Sequence, residues 1–195
     1  MKRRYLHRIR NKLVPEIRDG RYPIVEAYES MPEIIKRKPG SGYKHLLRKS
    51  EIYTFIELIP DWELISEGLD CIILDTCLDD CMGWHSDNTI AISAWEREIV
   101  WRDCDYEFYT EHRATLERLD VPVEKHGKDV HIMFTENTAK AFQLLHIFLH
   151  ELGHHHDQMT TKKKRNPGRG ELFAEKWALE YEELIFDEYV RHFEL

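Results

Sequence analysis

Residues 139–158 read AKAFQLLHIFLHELGHHHDQ, and this stretch decides the fold. Its apolar residues recur at helical spacing, and one stripe is formed by Phe142, Leu145, Leu149 and Leu152. Residues 135–139 offer an N-terminal capping start, with an acid and a cap oxygen near the free N–H groups of the first turn. The stretch therefore predicts an amphipathic helix over 139–158 whose apolar stripe packs on a core.

The third turn of this helix carries the sequence His150-Glu151-Leu152-Gly153-His154. Two histidines four residues apart on a helix point the same way, one above the other. That spacing lets both imidazoles reach one tetrahedral Zn²⁺ at about 2.0–2.1 Å. Glu151 is rotated by about 100° from His150, so it lies beside the metal and can accept a proton from a zinc-bound water. Gly153 is a poor helix former and predicts the close approach of another element.

A catalytic zinc needs a third protein ligand and an open position for water. Glu171 is the best candidate, because it opens the last predicted helix after a loop long enough to turn back. Asp157, on the helical face of His150, is the alternative ligand, or else a supporting group that hydrogen-bonds a neighbouring histidine or the backbone. Glu175 lies one turn beyond Glu171 and is predicted to accept the outer N–H of a zinc-bound histidine.

Other polar residues near the motif are expected to have supporting roles. His146 is predicted to be a structural, hydrogen-bonded histidine, because a fourth protein ligand would close the site to water. His155 and His156 are predicted to be exposed. A hydrolytic site also uses a donor for the oxyanion, and the sequence offers, without choosing among them, Tyr181, His192, Tyr189 and His131.

A His-Glu-x-x-His helix followed by Glu-x-x-Ala and an acid, here at 171–175, resembles the gluzincins. The longer string ELFAEKWA at 171–178 is most similar to the compact ImmA/IrrE-type zinc peptidases, and the layout is similar over about residues 45–195. The resemblance implies a zincin fold, one catalytic Zn²⁺ and hydrolysis of peptide bonds in a protein substrate. It also implies a stress, phage or toxin–antitoxin circuit, in which a regulatory protein partner is expected.

Periodicity outside the motif predicts both helices and short strands. Helices are predicted at 43–59, 106–119 and 171–195, and strands at 68–75, 89–95 and 129–135. Together with the resemblance, this pattern predicts an α+β fold: a single zincin-like domain over 43–195, with a short mixed sheet packed on the active-site helix. A substrate peptide is expected to add to a sheet edge, supplied by 89–95 or 129–135.

Charge is unevenly distributed along the chain, whose net charge is −8. Residues 1–50 hold 14 Lys and Arg against 5 Asp and Glu, whereas residues 51–195 hold 14 against 31. We therefore expect residues 1–42 to form a basic N-terminal extension, and the loop at 162–169 is also basic. We interpret both segments as solvated parts of the surface in preference to nucleic-acid contacts.

Two other functions remain open at this point. The basic segments favour a DNA-associated protease of the SprT-like group, which usually has a third histidine, but no histidine occurs between His156 and His192. The third reading is a non-catalytic interaction module that keeps zinc for structure.

No apolar run approaches the length of about 18–20 residues that a membrane span needs, and no signal-peptide core follows the basic N-terminus. We therefore expect a cytoplasmic protein without a membrane partner. The four cysteines are accordingly expected to be idle thiols rather than a disulfide framework or a metal site.

Overall fold

The computed structural model of the chain describes residues 31–76, 81–161 and 168–195. Residues 1–30, which make up most of the predicted basic extension, and residues 162–167 of the basic loop lie outside the described residues. Contacts divide the chain into two units, Met1–Glu33 and Ile34–Leu195. The second unit combines helices with three β-sheets, so the fold is α+β.

In the described residues the strands are β1 (Glu33–Lys36), β2 (Tyr43–Lys44), β3 (Cys71–Asp75), β4 (Gly83–Ser86), β5 (Thr89–Ser93), β6 (Trp95–Glu96), β7 (Val100–Asp105), β8 (Val123–His126) and β9 (Asp129–Met133). The α-helices are α1 (Lys49–Leu58), α2 (Trp62–Ile65), α3 (Tyr106–Arg118), α4 (Glu136–Phe142), α5 (Leu149–Thr160) and α6 (Glu171–Phe193). A π-helical segment, Gln143–Phe148, joins α4 to α5.

The largest sheet has the strand order β1-β3-β5-β4. β3 and β5 run parallel at its centre, and their side chains are among the most buried of the protein, including Ile72, Leu74, Ile90 and Ile92. Burial on both faces is typical of parallel strands, which helices cover. β4 lies at one edge, antiparallel to β5, and the turn between them is Asp87-Asn88, where Asp87 adopts a left-handed φ of 52°. The sheet is therefore mixed, and β4 is an edge strand.

Residues 136–160, here called the site helix, comprise α4, the π-helical segment and α5 without interruption. Its N-terminus is capped at Thr135, whose hydroxyl accepts a hydrogen bond from the Thr138 backbone N–H at 3.1 Å. In return, the Thr138 hydroxyl accepts a hydrogen bond from the Thr135 backbone N–H. The single helix predicted over 139–158 is thus extended at both ends. All six residues of the π-helical segment are buried, and such segments are rare and concentrate at functional sites. The site helix packs against β4 and β5.

The remaining strands form two smaller sheets. β2 pairs with β6, and β7, β9 and β8 form an antiparallel sheet in that order. α3 packs against this second sheet, and its bounds agree with the helix predicted at 106–119. The helix predicted over 43–59 begins only at Lys49, because residues 43–44 pair as β2 and Glu51 closes a capping box on the backbone of Arg48.

Neither of the two predicted substrate edges is an edge strand. β5 lies between β3 and β4, and β9 lies between β7 and β8. Both edges of each strand are already hydrogen-bonded, so an added peptide would find no free backbone groups there. The edge strands of the main sheet are instead β1 and β4.

The sheet also begins earlier than the predicted domain boundary between residues 42 and 43. β1 is hydrogen-bonded to β3, and its residues Ile34–Lys36 belong to the second unit. Arg37, just after β1, donates from its backbone N–H to the carbonyl of Leu74 at 2.9 Å and forms an ion pair with Asp75.

No helix among the described residues is both long enough and apolar enough to cross a membrane. The cysteines that the structure describes are Cys71, Cys81 and Cys104, and no disulfide joins any two of them. Cys77 lies outside the described residues.

Candidate metal centre

Three side chains of the described residues converge on one point at the surface between α5 and α6. Nε2 of His150 lies 3.1 Å from Nε2 of His154, and Oε2 of Glu171 lies 3.2 Å and 3.3 Å from these two nitrogens. The three atoms therefore form a nearly equilateral triangle. The structure brings together the three residues predicted as metal ligands.

The triangle has the size that a tetrahedral zinc ion requires. Ligand atoms at about 2.0–2.1 Å from the ion and at tetrahedral angles are separated by about 3.3 Å. The chemistry of the donors also fits, since two imidazoles and one carboxylate are frequent zinc ligands. The Glu171 side chain is 81 % exposed, so the carboxylate lies at an open, solvent-facing side of the cluster.

Close packing of two helices brings Glu171 to the two histidines. His150 and His154 are one turn apart on α5, and Glu171 is the first residue of α6. A Cβ added at Gly153 would lie 3.0 Å from Cα and 3.1 Å from the carbonyl oxygen of Ala174, so only glycine allows this separation. The close approach that the sequence predicts at Gly153 is thus a contact with α6.

Glu175 supports His150 from the side opposite the cluster. Oε2 of Glu175 lies 3.1 Å from Nδ1 of His150, and because a carboxylate only accepts, Nδ1–H must donate. In the neutral imidazole, this tautomer leaves Nε2 of His150 without a proton and directed at the cluster. Burial alone would raise the pKa of Glu175, but the hydrogen bond from His150 and the imidazole of His146 outweigh it and lower the pKa.

His146 lies on the other side of the same carboxylate. Its Nε2 is 3.9 Å from Oε2 of Glu175, and its ring contacts that of His112 edge-on at 4.8 Å between centroids. The residue is only 3 % exposed, and this burial lowers the pKa of His146 to about 4. His146 is outside the three-residue cluster. Its Nδ1 is buried without a hydrogen-bond partner among the described residues, so the predicted hydrogen bonding of this histidine is not confirmed.

Glu151 lies beneath strand β4. A Cβ added at Gly83 of β4 would come within 3.0 Å of Oε1 of Glu151 and within 2.6 Å of Cγ2 of Ile147. Gly83 therefore lets the edge strand pass directly over the site helix, and Glu151 is buried between them. Burial raises the pKa of Glu151 to about 7, although nearby His150 opposes the shift.

Asp157 anchors the segment just ahead of Glu171. Its carboxylate accepts from Nε of Arg169 at 2.7 Å, from the backbone N–H of Gly170 at 3.1 Å and from the hydroxyl of Thr161 at 3.0 Å. Asp157 does not join the three-residue cluster and bonds neither neighbouring histidine. Its contacts fix the start of α6, so it acts on the position of Glu171.

His155 is fully buried, which corrects the prediction that it is exposed. Its Nε2–H donates to the carbonyl of Glu67 at 2.9 Å, and the ring of His85 contacts it edge-on. The physical reason is that the chain after α2 and strand β4 cover this side of the site helix, which a single-helix pattern cannot show. His156 is half-buried and stacks on Trp177.

Strand β4 contributes two residues that the sequence interpretation did not select, Gly83 and His85. The His85 ring lies parallel to that of His154, with 6.5 Å between centroids. The sequence does contain an indication of β4, because the two-residue segment Asp87-Asn88 precedes the predicted strand at 89–95. Loops of this length typically connect antiparallel strands.

The structure does not bring the candidate oxyanion donors of α6 to the cluster. Tyr181 stacks on Trp177 at 4.0 Å between ring centroids, about 15 Å along the helix axis from Glu171. His192 donates from Nδ1–H to the carbonyl of Glu188 near the end of α6, about 31 Å along the axis.

Comparison of this chain with protein-family models, with curated proteins and with solved structures found no match.

Proposed function

We propose that this protein is a zinc-dependent endopeptidase with a zincin-like fold. One observation carries the proposal: two imidazole nitrogens and a carboxylate oxygen form a triangle with sides of 3.1, 3.2 and 3.3 Å, with Glu151 beside it. In this proposal His150, His154 and Glu171 hold the ion. Zinc at such a site leaves a position for water, lowers the pKa of that water towards about 7 and polarises a substrate carbonyl.

Glu151 is proposed as the general base. It follows His150 directly, so its carboxylate lies beside the ligands instead of among them, and its burial under β4 excludes bulk water. The carboxylate would accept the proton of the attacking water and deliver it to the leaving amine. Glu175 holds His150 in the tautomer that ligation requires.

The substrate is proposed to be an extended polypeptide that pairs with the outer edge of β4, an edge strand of the main sheet. Backbone groups on that edge can hydrogen-bond an added strand. Gly83 lies on β4 directly above Glu151, so a peptide added there would pass close to the base and to the cluster.

A zinc-only structural role is the competing reading, and the site itself argues against it. Structural zinc sites are closed by four protein ligands, whereas the cluster in the described residues has three, one of them 81 % exposed. A chelator separates the two roles. Loss of cleavage with unchanged circular dichroism supports catalysis, and unfolding on metal removal supports structure.

The direct test is a comparison of the wild-type chain with Glu151→Gln on a peptide library prepared from a digested proteome, with cleavage sites identified by mass spectrometry. We expect zinc content to be unchanged in the variant and cleavage to be lost. Glu180→Gln, an exposed carboxylate on α6, is the matched control and should cleave normally. Cleavage sites that persist in the Glu151 variant, or no sites in the zinc-loaded wild type, would contradict the proposal.

A further inference from the structure

The hairpin of β8 and β9 presents a second group of metal-binding side chains. Its register pairs Glu124 with His131 and His126 with Asp129, and the turn is Gly127-Lys128. Because side chains alternate along a strand and cross-strand partners share a face, these four ionisable residues lie on one face of the hairpin. None of them takes part in the metal centre between α5 and α6.

The opposite face of the hairpin is the packed one, so the ionisable face points outward. Val130 and Ile132 are fully buried. Lys125, which pairs with Val130, lies over the rings of Tyr106 and Tyr109 on α3. Glu124 and His126 are exposed and His131 is half-buried, which leaves all three reachable from solvent.

Three of the four side chains are already close together. Nε2 of His126 lies 3.5 Å from Oε2 of Glu124, and the rings of His126 and His131 stack with 3.9 Å between centroids. One ligand atom from each of Glu124, His126 and His131 lies within 4.8 Å of the other two. An exposed contact between Glu124 and His126 would contribute little to stability by itself.

We propose that Glu124, His126 and His131 form a second binding site for a divalent transition-metal ion, with Asp129 beside them on the same face. Imidazole together with carboxylate suits Zn²⁺, Cu²⁺ or Ni²⁺, whereas Ca²⁺ and Mg²⁺ take oxygen ligands. Bound there, the ion links the two strands next to their turn and keeps positions open for water or for a side chain of another protein.

The test is a zinc titration of the metal-free, tag-free full chain against a colorimetric chelator. The wild type is expected to bind about two equivalents of Zn²⁺, and His126→Ala/His131→Ala and His150→Ala/His154→Ala are each expected to bind about one. Glu124→Gln should weaken the second equivalent while retaining it in part. His192→Ala, an exposed histidine near the end of α6, is the control and should match the wild type.

The two metal sites are read out separately, so failure of one proposal is distinguishable from failure of the other. In the His150→Ala/His154→Ala chain, Cu²⁺ electron paramagnetic resonance should show nitrogen ligands that disappear when His126 and His131 are also replaced. Circular dichroism checks that each variant folds, which we expect because the replaced hairpin side chains lie on its outward face. Two equivalents in the hairpin variant, or no nitrogen-ligated copper in the site-helix variant, would overturn the hairpin site.

Discussion

Nδ1 of His150 lies 3.1 Å from Oε2 of Glu175, on the side of the imidazole opposite the three-residue cluster. The contact joins α5 to α6 one turn beyond the contact at Glu171. A histidine held in this way has its second nitrogen fixed in direction, which is the orientation that the proposed metal site requires.

Replacing Glu175 with alanine should weaken zinc binding without removing a ligand. Loss of an outer hydrogen-bond partner of a ligating histidine typically costs about 10–100-fold in metal affinity. Glu175→Gln keeps an acceptor oxygen and should lose less. Chelator competition measures both, and Glu180→Ala on the exposed face of α6 is the control. Equal zinc affinity of Glu175→Ala and the wild type would show that Glu175 has no positioning role.

Replacing Gly83 with alanine should disturb the site without touching any proposed ligand. The new Cβ would lie 2.6 Å from Ile147 and 3.0 Å from Glu151, so β4 or the site helix must move. Such overpacking typically destabilises by about 1–3 kcal/mol, and we expect activity to fall as Glu151 shifts. Urea unfolding measures the first effect and peptide cleavage the second. Ser86→Ala, an exposed change on the same strand, should alter neither; a fully stable and active Gly83→Ala chain would refute the close crossing.

Replacing Asp157 with alanine should loosen the start of α6. Three donors, from Arg169, Gly170 and Thr161, would lose their acceptor. Leaving part-buried donors unpaired costs about 1–3 kcal/mol, and Glu171 should become less well fixed, so that zinc affinity also falls. Thermal unfolding with and without zinc is the measurement, with the exposed Glu183→Ala as control. If Asp157→Ala lowers stability but leaves zinc affinity unchanged, then Asp157 does not position Glu171.

Glu182 should make the protein less stable as the pH rises from about 4.5 to about 7. The residue is fully buried on α6, and burial raises the pKa of Glu182 from 4.5 to about 7, although the hydroxyl of Thr115 donates to it and Arg118 lies nearby. Below about pH 4.5 the carboxyl is protonated in both the folded and the unfolded state. As the pH rises to about 7, the unfolded state releases its proton first, which favours unfolding.

Glu182→Gln removes this titration and keeps an oxygen for Thr115. The free energy of unfolding of the variant, relative to wild type, should therefore increase between about pH 5 and pH 8, by up to about 3 kcal/mol. Urea unfolding at the two pH values measures the difference, and Glu183→Gln, the exposed neighbour, should show no such change. A relative stability that is constant or falls with pH would mean that the Glu182 carboxylate is stabilised, not penalised, by its surroundings.

Local patterns were sufficient to predict the site helix, α3, α6 and the central strands β3 and β5. Their periodicity and capping signals act within one element. The proposed metal centre could be predicted for the same reason, because the spacing of His150 and His154 is a property of one helix. Placing Glu171 needed only the further expectation that the loop before α6 is long enough to turn back.

The missed features depend on contacts between distant parts of the chain. The strand Gly83–Ser86 has four residues and no apolar alternation, so its pairing with β5 defines it. The order of strands in the sheet likewise determines which strand lies at an edge. The burial of His155 depends on Glu67, which is 88 positions away in the chain. Sequence periodicity contains none of this information.

The π-helical segment at Gln143–Phe148 also bears on how this chain should be aligned with others. Its hydrogen bonds span one residue more than those of an α-helix, so it is geometrically equivalent to a one-residue insertion. A protein with the same spacing of histidines but an unbroken α-helix would match residues 149–160 in one register and residues 136–142 in another, offset by one position. An alignment without a gap in this helix would therefore place either the capped N-terminal residues or the histidines in the correct register, but not both.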